Sequence, residues 1–252
     1  MSGHSKWATI KHKKAANDKA RGKLFAKLLR QVEVAAREGG GDADANPTLR
    51  TMFQKARDNS IPLDTIERAI KRGTGELEGV TYEQITYEGY APDGVAVMAE
   101  CLTDNRKRTG AEIRNIFSRN GGSLAEPGAV SWQFERKGHV VVPRSADEDE
   151  LMLAAADGGA EDIVDEGEAW RVTTPPSDLH AVRDAIEAAG ISVESSELTL
   201  VPSTATPLGT TESAKKVLRL IDALDDHDDV GAVYANFDIP DNILEAMEAS
   251  PA

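Results

Sequence analysis

The sequence predicts an α+β protein, in which an N-terminal three-helix domain is followed by two ferredoxin-like (split βαβ) α+β domains, one inserted in the other. Two observations carry that expectation. Over the first 75 residues, apolar side chains recur at helical spacing between glycine and proline stops. Beyond residue 80, apolar runs of strand length alternate with amphipathic helices, and residues 139–202 alone read β-α-β-β-α-β.

Each element has a local reason. Residues 1–17 (MSGHSKWATIKHKKAAN) lack an apolar stripe and read as an arm. A first helix over 18–37 presents Leu24, Phe25, Leu28, Leu29, Val32 and Ala36 on one face, and Gly39-Gly40-Gly41 stops it. Asn46-Pro47 supplies an N-cap and a first-turn proline for a second helix that buries Leu49, Met52, Phe53 and Ala56. A third helix follows Pro62, carries Ile66, Ala69 and Ile70, and ends at Gly73, with Gly73-Thr74-Gly75 reading as a hinge. Strands are expected at 85–89 and 95–102, turning through Pro92-Asp93-Gly94. A helix over 106–120 buries Ile113, Ile116 and Phe117, and strands follow at 130–134 and 139–142. Then come a helix at 149–157, strands at 162–165 and 169–173, a helix at 177–189 and a strand at 191–201. A Pro/Thr/Ser-rich link over 202–211 leads to a helix at 212–224 and a strand at 232–237. The expected division is a basic arm and bundle (1–79), an outer α+β domain (80–138 with 203–240), an inserted one (139–202) and a tail (241–252).

The 252 residues are 40% hydrophobic, ordinary for a folded globular chain. No apolar run is long enough to span a bilayer, and no apolar segment follows the first lysines as in a signal peptide. A single cysteine, Cys101, excludes an internal disulfide and fits a reducing compartment, so a cytoplasmic location is expected. The net charge of −14 is unevenly divided. Residues 1–75 hold 16 Lys+Arg against 8 Asp+Glu, a net of +8; residues 76–252 hold 13 against 35, a net of −22. Such asymmetry points to a basic element that meets an anionic partner.

The first candidate contact is the run Lys6, Lys11, His12, Lys13, Lys14, Lys19, Arg21, Lys23, Lys27 and Arg30, where Asp18 is the single acid in 30 residues. Cations at that density displace counterions from phosphate and bind without reading sequence. Lys11, Lys13, Lys14, Lys23 and Lys27 are expected to carry most of that affinity, and Trp7 among them could stack on an unpaired base. A second group is Arg68, Lys71 and Arg72, whose simpler explanation is to complement the dipole at a helix C-terminus. Arg106, Lys107, Arg108, Arg114 and Arg119 form the largest basic cluster of the acidic half and face away from Ile113 and Phe117, a candidate second contact. The acidic runs 147–150 and 225–229 lack the ligand spacing of a calcium loop, and His4 and His12 lack partners for zinc. No GxSxG, HExxH or GxxxxGK[ST] occurs, so no catalytic residue, metal, cofactor or small-molecule substrate is expected.

Five stretches carry a resemblance: GHSKWATIKHKKAA (3–16), NPTLRTMFQKARDNSIP (46–62), IERAIKRGTGE (66–76), YEGYAPDGVAVMAECLTDNRKRT (87–109) and FDIPDNI (237–243). They are similar to the YebC/PmpR family, proteins named as probable transcriptional regulators, which includes mitochondrial translational activators. The resemblance implies a helical domain plus two α+β domains, no catalytic residues, and a phosphate role for Arg68, Lys71 and Arg72. It leaves two partners open. As a transcriptional regulator the chain would bind DNA; as a translation factor it would dock on the ribosome and grip ribosomal or transfer RNA by backbone and shape. Net charge favours the second, because a strongly acidic protein is a poor partner for bare duplex DNA.

Overall fold

The computed structural model describes the backbone of residues 18–248 and the side chains of residues 21–247. Eight helices and ten strands occur among the described residues, in an α+β arrangement. The described elements group into two compact units: one contains residues 18–27, 80–135 and 202–248, the other residues 28–79 and 136–201.

In the second unit, α1 (Asp18–Gly39) contributes its C-terminal part, where Leu28, Val32, Ala35 and Ala36 are buried at helical spacing. Gly40, at φ +88°, closes it. Asn46 then does two things. Its Oδ1 accepts the Leu49 N–H at 3.0 Å, N-capping α2 (Pro47–Asp58), while its Nδ2 donates to the carbonyls of Ala35 and Gly40 at the end of α1. α3 (Leu63–Gly73) buries Ile66 and Ala69. The expected hinge has a packing role at its first residue: a Cβ on Gly73 would stand 2.3 Å from the Glu33 carbonyl oxygen, so only glycine lets α3 approach α1 that closely.

Residues 134–202 supply β4 (Phe134–Pro143), α5 (Glu148–Gly158), β5 (Asp162–Asp165), β6 (Ala169–Thr174), α6 (Leu179–Ala188) and β7 (Ser195–Pro202). Their sheet order, β5-β6-β4-β7, is the ferredoxin-like order read from its first strand, β4. Val140, Val142, Trp170 and Val172 pack with Leu151, Leu179, Val182 and Ile186.

The helical segment is joined to this sheet domain by ionic chemistry. The Arg183 guanidinium on α6 donates to both carboxylate oxygens of Asp58, at 3.0 and 3.3 Å, and to Ser196 Oγ at 2.7 Å. The two charged side chains are 9% and 8% exposed. Ser196 N–H and the Gln54 amide also donate to Asp58, and Glu187 accepts from Arg183 Nε, so the carboxylate and guanidinium are well furnished with partners. Beside them, the Thr51 hydroxyl donates to the Pro47 carbonyl at 3.0 Å, so His180 Nε2, 3.0 Å from that hydroxyl, carries the proton and donates. Burial, reinforced by Arg50 and Arg183 and opposed by Asp184, holds the His180 pKa below its ordinary value.

In the other unit, β1 (Glu83–Tyr90) and β2 (Ala96–Thr103) form an antiparallel hairpin whose turn is Pro92-Asp93-Gly94, with Asp93 and Gly94 at positive φ. α4 (Arg106–Arg119) follows, then the two-residue β3 (Ser123–Leu124). After the insert come β8 (Thr206–Pro207), α7 (Thr211–Asp225), β9 (Val230–Ala235), β10 (Phe237–Asp238) and α8 (Asp241–Glu248). The sheet order is β3-β1-β2-β9, and its core joins Val95, Val97, Ala99 and Cys101 to Ile113, Phe117, Leu220 and Leu224. Burial pushes the Cys101 thiol up to about 12, as befits an inert core cysteine.

The fold class holds, with local differences. The hairpin of the outer domain precedes its helix, as the strand and turn signals implied, while β8 and β10 add a small parallel pair that was not expected. Residues 130–134 are not a strand: Ser131–Gln133 form a 3-10 turn and β4 begins at Phe134. Part of the expected tail, 241–248, is helical.

Two outcomes follow. Asp58→Ala leaves the Arg183 charge buried without its partner and should cost about 3–5 kcal/mol in urea unfolding, whereas Asp58→Leu with Arg183→Met should recover most of it. A single-variant loss under about 1 kcal/mol would remove the pair from this role. Because the folded His180 pKa lies below the unfolded value of about 6.5, only the unfolded state gains that proton as pH falls below this value, so stability declines there. Unfolding midpoints at pH 7.5 and 5.5 should drop more for the wild type than for His180→Asn; equal drops would contradict the assignment.

Candidate nucleic-acid interface

The basic residues divide into those engaged in folding and those left to solvent. Lys6, Trp7, Lys11, His12, Lys13 and Lys14 lie outside the described residues, and Lys19 is described only in its α1 backbone. Arg21 is exposed, with its guanidinium 5.4 Å from the Phe25 ring centroid. Lys23 and Lys27, two of the expected principal contacts, are engaged within the protein. Lys23 Nζ donates to the Asp226 carbonyl at 3.0 Å and lies 3.6 Å from its carboxylate, while Lys27 donates to the Asp225 carbonyl. Those carbonyls end α7, where the dipole is negative and the run 225–229 adds acid, so two lysines there offset an unfavourable concentration of charge. Arg30 is half-buried and also engaged.

On α3, Arg68 and Lys71 are exposed and form no ion pair with a described residue. Arg72 differs. Its Nε donates at 3.0 Å to Glu33, a carboxylate whose side chain is only 4% exposed, and Arg37 approaches the other oxygen at 3.4 Å. Arg72 is therefore committed to neutralising a buried acid.

The cluster on α4 separates in the same way. Asn105 caps the helix by accepting the Arg108 N–H, so the sequence Arg106-Lys107-Arg108 forms its first turn, where the helix dipole already favours negative charge. Arg108 is balanced: its guanidinium donates to Asp229 at 2.7 Å and Asp104 at 3.0 Å. Asp229 also accepts from Thr109 at 2.7 Å; burial raises its pKa, but Arg108 and Thr109 outweigh that and hold it below the usual range. Arg106, Lys107, Arg114 and Arg119 are exposed and form no ion pair with a described residue, so the helix presents four cations to solvent. Ile113 and Phe117, fully buried, fix which way they face.

Glu112, His227 and Asp229 bring ligand-type atoms within 4.8 Å of one another, but hydrogen bonds account for the cluster. His227 Nδ1 accepts the Asp229 N–H at 3.1 Å, leaving the ring proton on Nε2, which donates to Glu112 at 2.8 Å. The run 147–150 is a helix start: Asp147 caps α5 by accepting the N–H groups of Asp149 and Glu150. No helix among the described residues is long and apolar enough to cross a membrane.

Sequence reasoning missed Glu88 and Trp132. Placing residues 130–134 in a strand puts Trp132 on the same face as Val130 and Phe134, hence inward. The 3-10 turn breaks that alternation and leaves Trp132 74% exposed. The small residues of Pro127-Gly128-Ala129 just before it were the available signal that the chain turns here.

Comparison with known proteins adds the lineage. Residues 5–76 match the model of the TACO1/YebC protein N-terminal domain, and residues 82–237 that of the TACO1/YebC second and third domain. A protein of Thermobifida fusca is 59% identical over 246 residues, covering 97% of this chain and 98% of its own length. One of Halothermothrix orenii is 56% identical over 250 residues, covering 98% and 99%. Both bear the name "Probable transcriptional regulatory protein". The crystal structure of a conserved hypothetical protein from Aquifex aeolicus superposes with a TM-score of 0.82 at 45% identity, over 90% of this chain and 94% of that one. With both family models matched along almost its whole length, the chain belongs to the TACO1/YebC family.

Proposed function

We propose that the protein is a non-enzymatic, cytoplasmic regulator of gene expression that works by binding nucleic acid. The observation that carries this reading is a group of exposed cations on one helix that form no ion pair with a described residue: Arg106, Lys107, Arg114 and Arg119 on α4, in a region that is otherwise strongly acidic. Arg106 and Lys107 stand at a helix N-terminus, where positive side chains, dipole and backbone N–H groups together favour a phosphate. Arg68 and Lys71 on α3, Arg21 on α1 and the lysines of residues 1–17 belong to the same reading. Lys23, Lys27, Arg72 and Arg108 serve the fold first, so they contribute less to phosphate binding than their charge implies.

The relatives' name supports transcription, with DNA as the partner. A second reading, a translation factor held on ribosomal or transfer RNA, is favoured by the charge division, since a chain of net −14 meets less repulsion where contact is confined to a few cationic points.

Ultraviolet crosslinking in cells, with sequencing of the attached nucleic acid, tests both. Promoter DNA at a limited set of loci supports transcription; ribosomal or transfer RNA at discrete positions supports translation; recovery of neither overturns the proposal. In solution, Arg114→Gln and Arg119→Gln should each lower the salt dependence of nucleic-acid binding by about 0.7–0.9 in log K against log salt. A slope equal to that of the wild type removes that arginine from the interface.

A further inference from the structure

The loop between β3 and β4 carries an aromatic side chain that the fold does not use. Trp132 is 74% exposed, the most exposed of the large apolar side chains among the described residues. Tryptophan is highly buried on average, so an indole left this far in water is set apart from the rest of the fold.

The loop that holds it is rigidly built. Glu88, on β1 and 6% exposed, accepts the N–H groups of Gly128 (2.7 Å), Val130 (2.7 Å) and Ser131 (2.9 Å). Two residues along, on the same face of β1, the Tyr90 hydroxyl donates to the Ala129 carbonyl at 3.2 Å. That carbonyl also accepts from Trp132 Nε1 at 3.1 Å, which orients the indole and satisfies its one polar group. On the far side of Trp132, the Gln133 side chain accepts from Asn236 at 3.0 Å and its carbonyl accepts the Ser203 N–H at 2.7 Å. Backbone and side chain on both sides of the ring are fixed before anything binds, so little ordering entropy is lost on binding.

From this we infer that Trp132 is a stacking platform for an unpaired nucleobase, an inference that rests on the nucleic-acid reading above. The surroundings favour a base over a protein side chain. A protein hot spot needs a contiguous apolar surround that excludes water. Among the described residues of this unit the only other exposed large hydrophobic side chain is Val80, on the irregular segment leading to β1; Leu63, Leu77, Met152 and Leu153 belong to the other unit. A solitary flat ring on a polar surface instead suits a ligand that is flat, apolar on its faces and polar at its edges. The exposed cations of α4 belong to the same unit and suit the phosphates of such a strand.

The test measures binding of labelled single-stranded RNA and DNA 12-mers, and of matched duplexes, to the full-length protein by fluorescence anisotropy. Trp132→Ala should weaken single-strand binding by about 5- to 150-fold, with Trp132→Phe retaining most of the affinity. Duplex affinity and the salt slope should stay as in the wild type, since no phosphate contact is removed. Being exposed, the side chain can be truncated without unfolding the chain, which circular dichroism verifies. Single-strand binding equal in the wild type and Trp132→Ala overturns the stacking role while leaving the nucleic-acid reading intact. Loss of a crosslinked protein in Trp132→Ala, with unchanged single-strand binding, assigns the ring to a protein partner and likewise overturns it. A wild type that binds none of the probes overturns both.

Discussion

The described architecture depends most on one buried guanidinium. Arg183 reaches from a helix of the inserted domain to Asp58, at the end of a helix more than a hundred residues earlier, and both charges are almost withdrawn from water. Desolvating two ions is expensive, and their attraction repays it only when geometry and surrounding hydrogen bonds are good. Here Asp58 accepts from Arg183, Gln54 and the Ser196 backbone, and Arg183 donates to Asp58, Ser196 and Glu187. The helical segment and the ferredoxin-like domain therefore form one compact unit, with Lys55–Glu197 (2.6 Å) and Thr51–His180 (3.0 Å) joining the same two segments. Apolar packing alone tolerates sliding of one surface over another; a bidentate ion pair admits one register.

Electrostatics also orders the remaining surface. A count of basic residues treats them as equivalent, whereas the structure sorts them. Arg72 neutralises the buried Glu33, Arg108 the buried Asp229, and Lys23 and Lys27 the acidic end of a helix. Arg68, Lys71, Arg106, Lys107, Arg114 and Arg119 have no such commitment to a described residue. A cation already neutralised by a close acid releases fewer counterions when it meets phosphate, so the second group outweighs the first in any contact.

Much of the fold was legible in the sequence because the signals were local. Asn46-Pro47 capped a helix, Pro92-Asp93-Gly94 turned a hairpin, and Ile113 and Phe117 fixed the buried face of the basic helix as their spacing implied. The β-α-β-β-α-β pattern over 139–202 gave the ferredoxin-like order directly. What stayed hidden was set by partners distant in sequence. Residues 130–134 look like a strand, yet Glu88, about forty residues earlier, draws their N–H groups into a turn. Likewise Lys23 and Lys27 read as free cations because the carbonyls they meet lie about two hundred residues away. The exposed indole was invisible for the same reason: periodicity assigned it to a face that the turn abolishes.

The insertion also has a consequence for synthesis. The ends of the inserted segment leave and return side by side, with Ser203 N–H bonded to the Gln133 carbonyl at 2.7 Å, so the outer sheet is closed by a strand made long after the one it pairs with. While residues 136–229 are still being translated, β2 has its hairpin partner on one side and an open, apolar edge on the other. The nascent chain thus carries a sticky strand for the whole interval in which the inserted domain emerges and folds. Shielding of that edge, by the ribosome surface or by a chaperone, becomes a condition of productive synthesis rather than of the finished fold's stability.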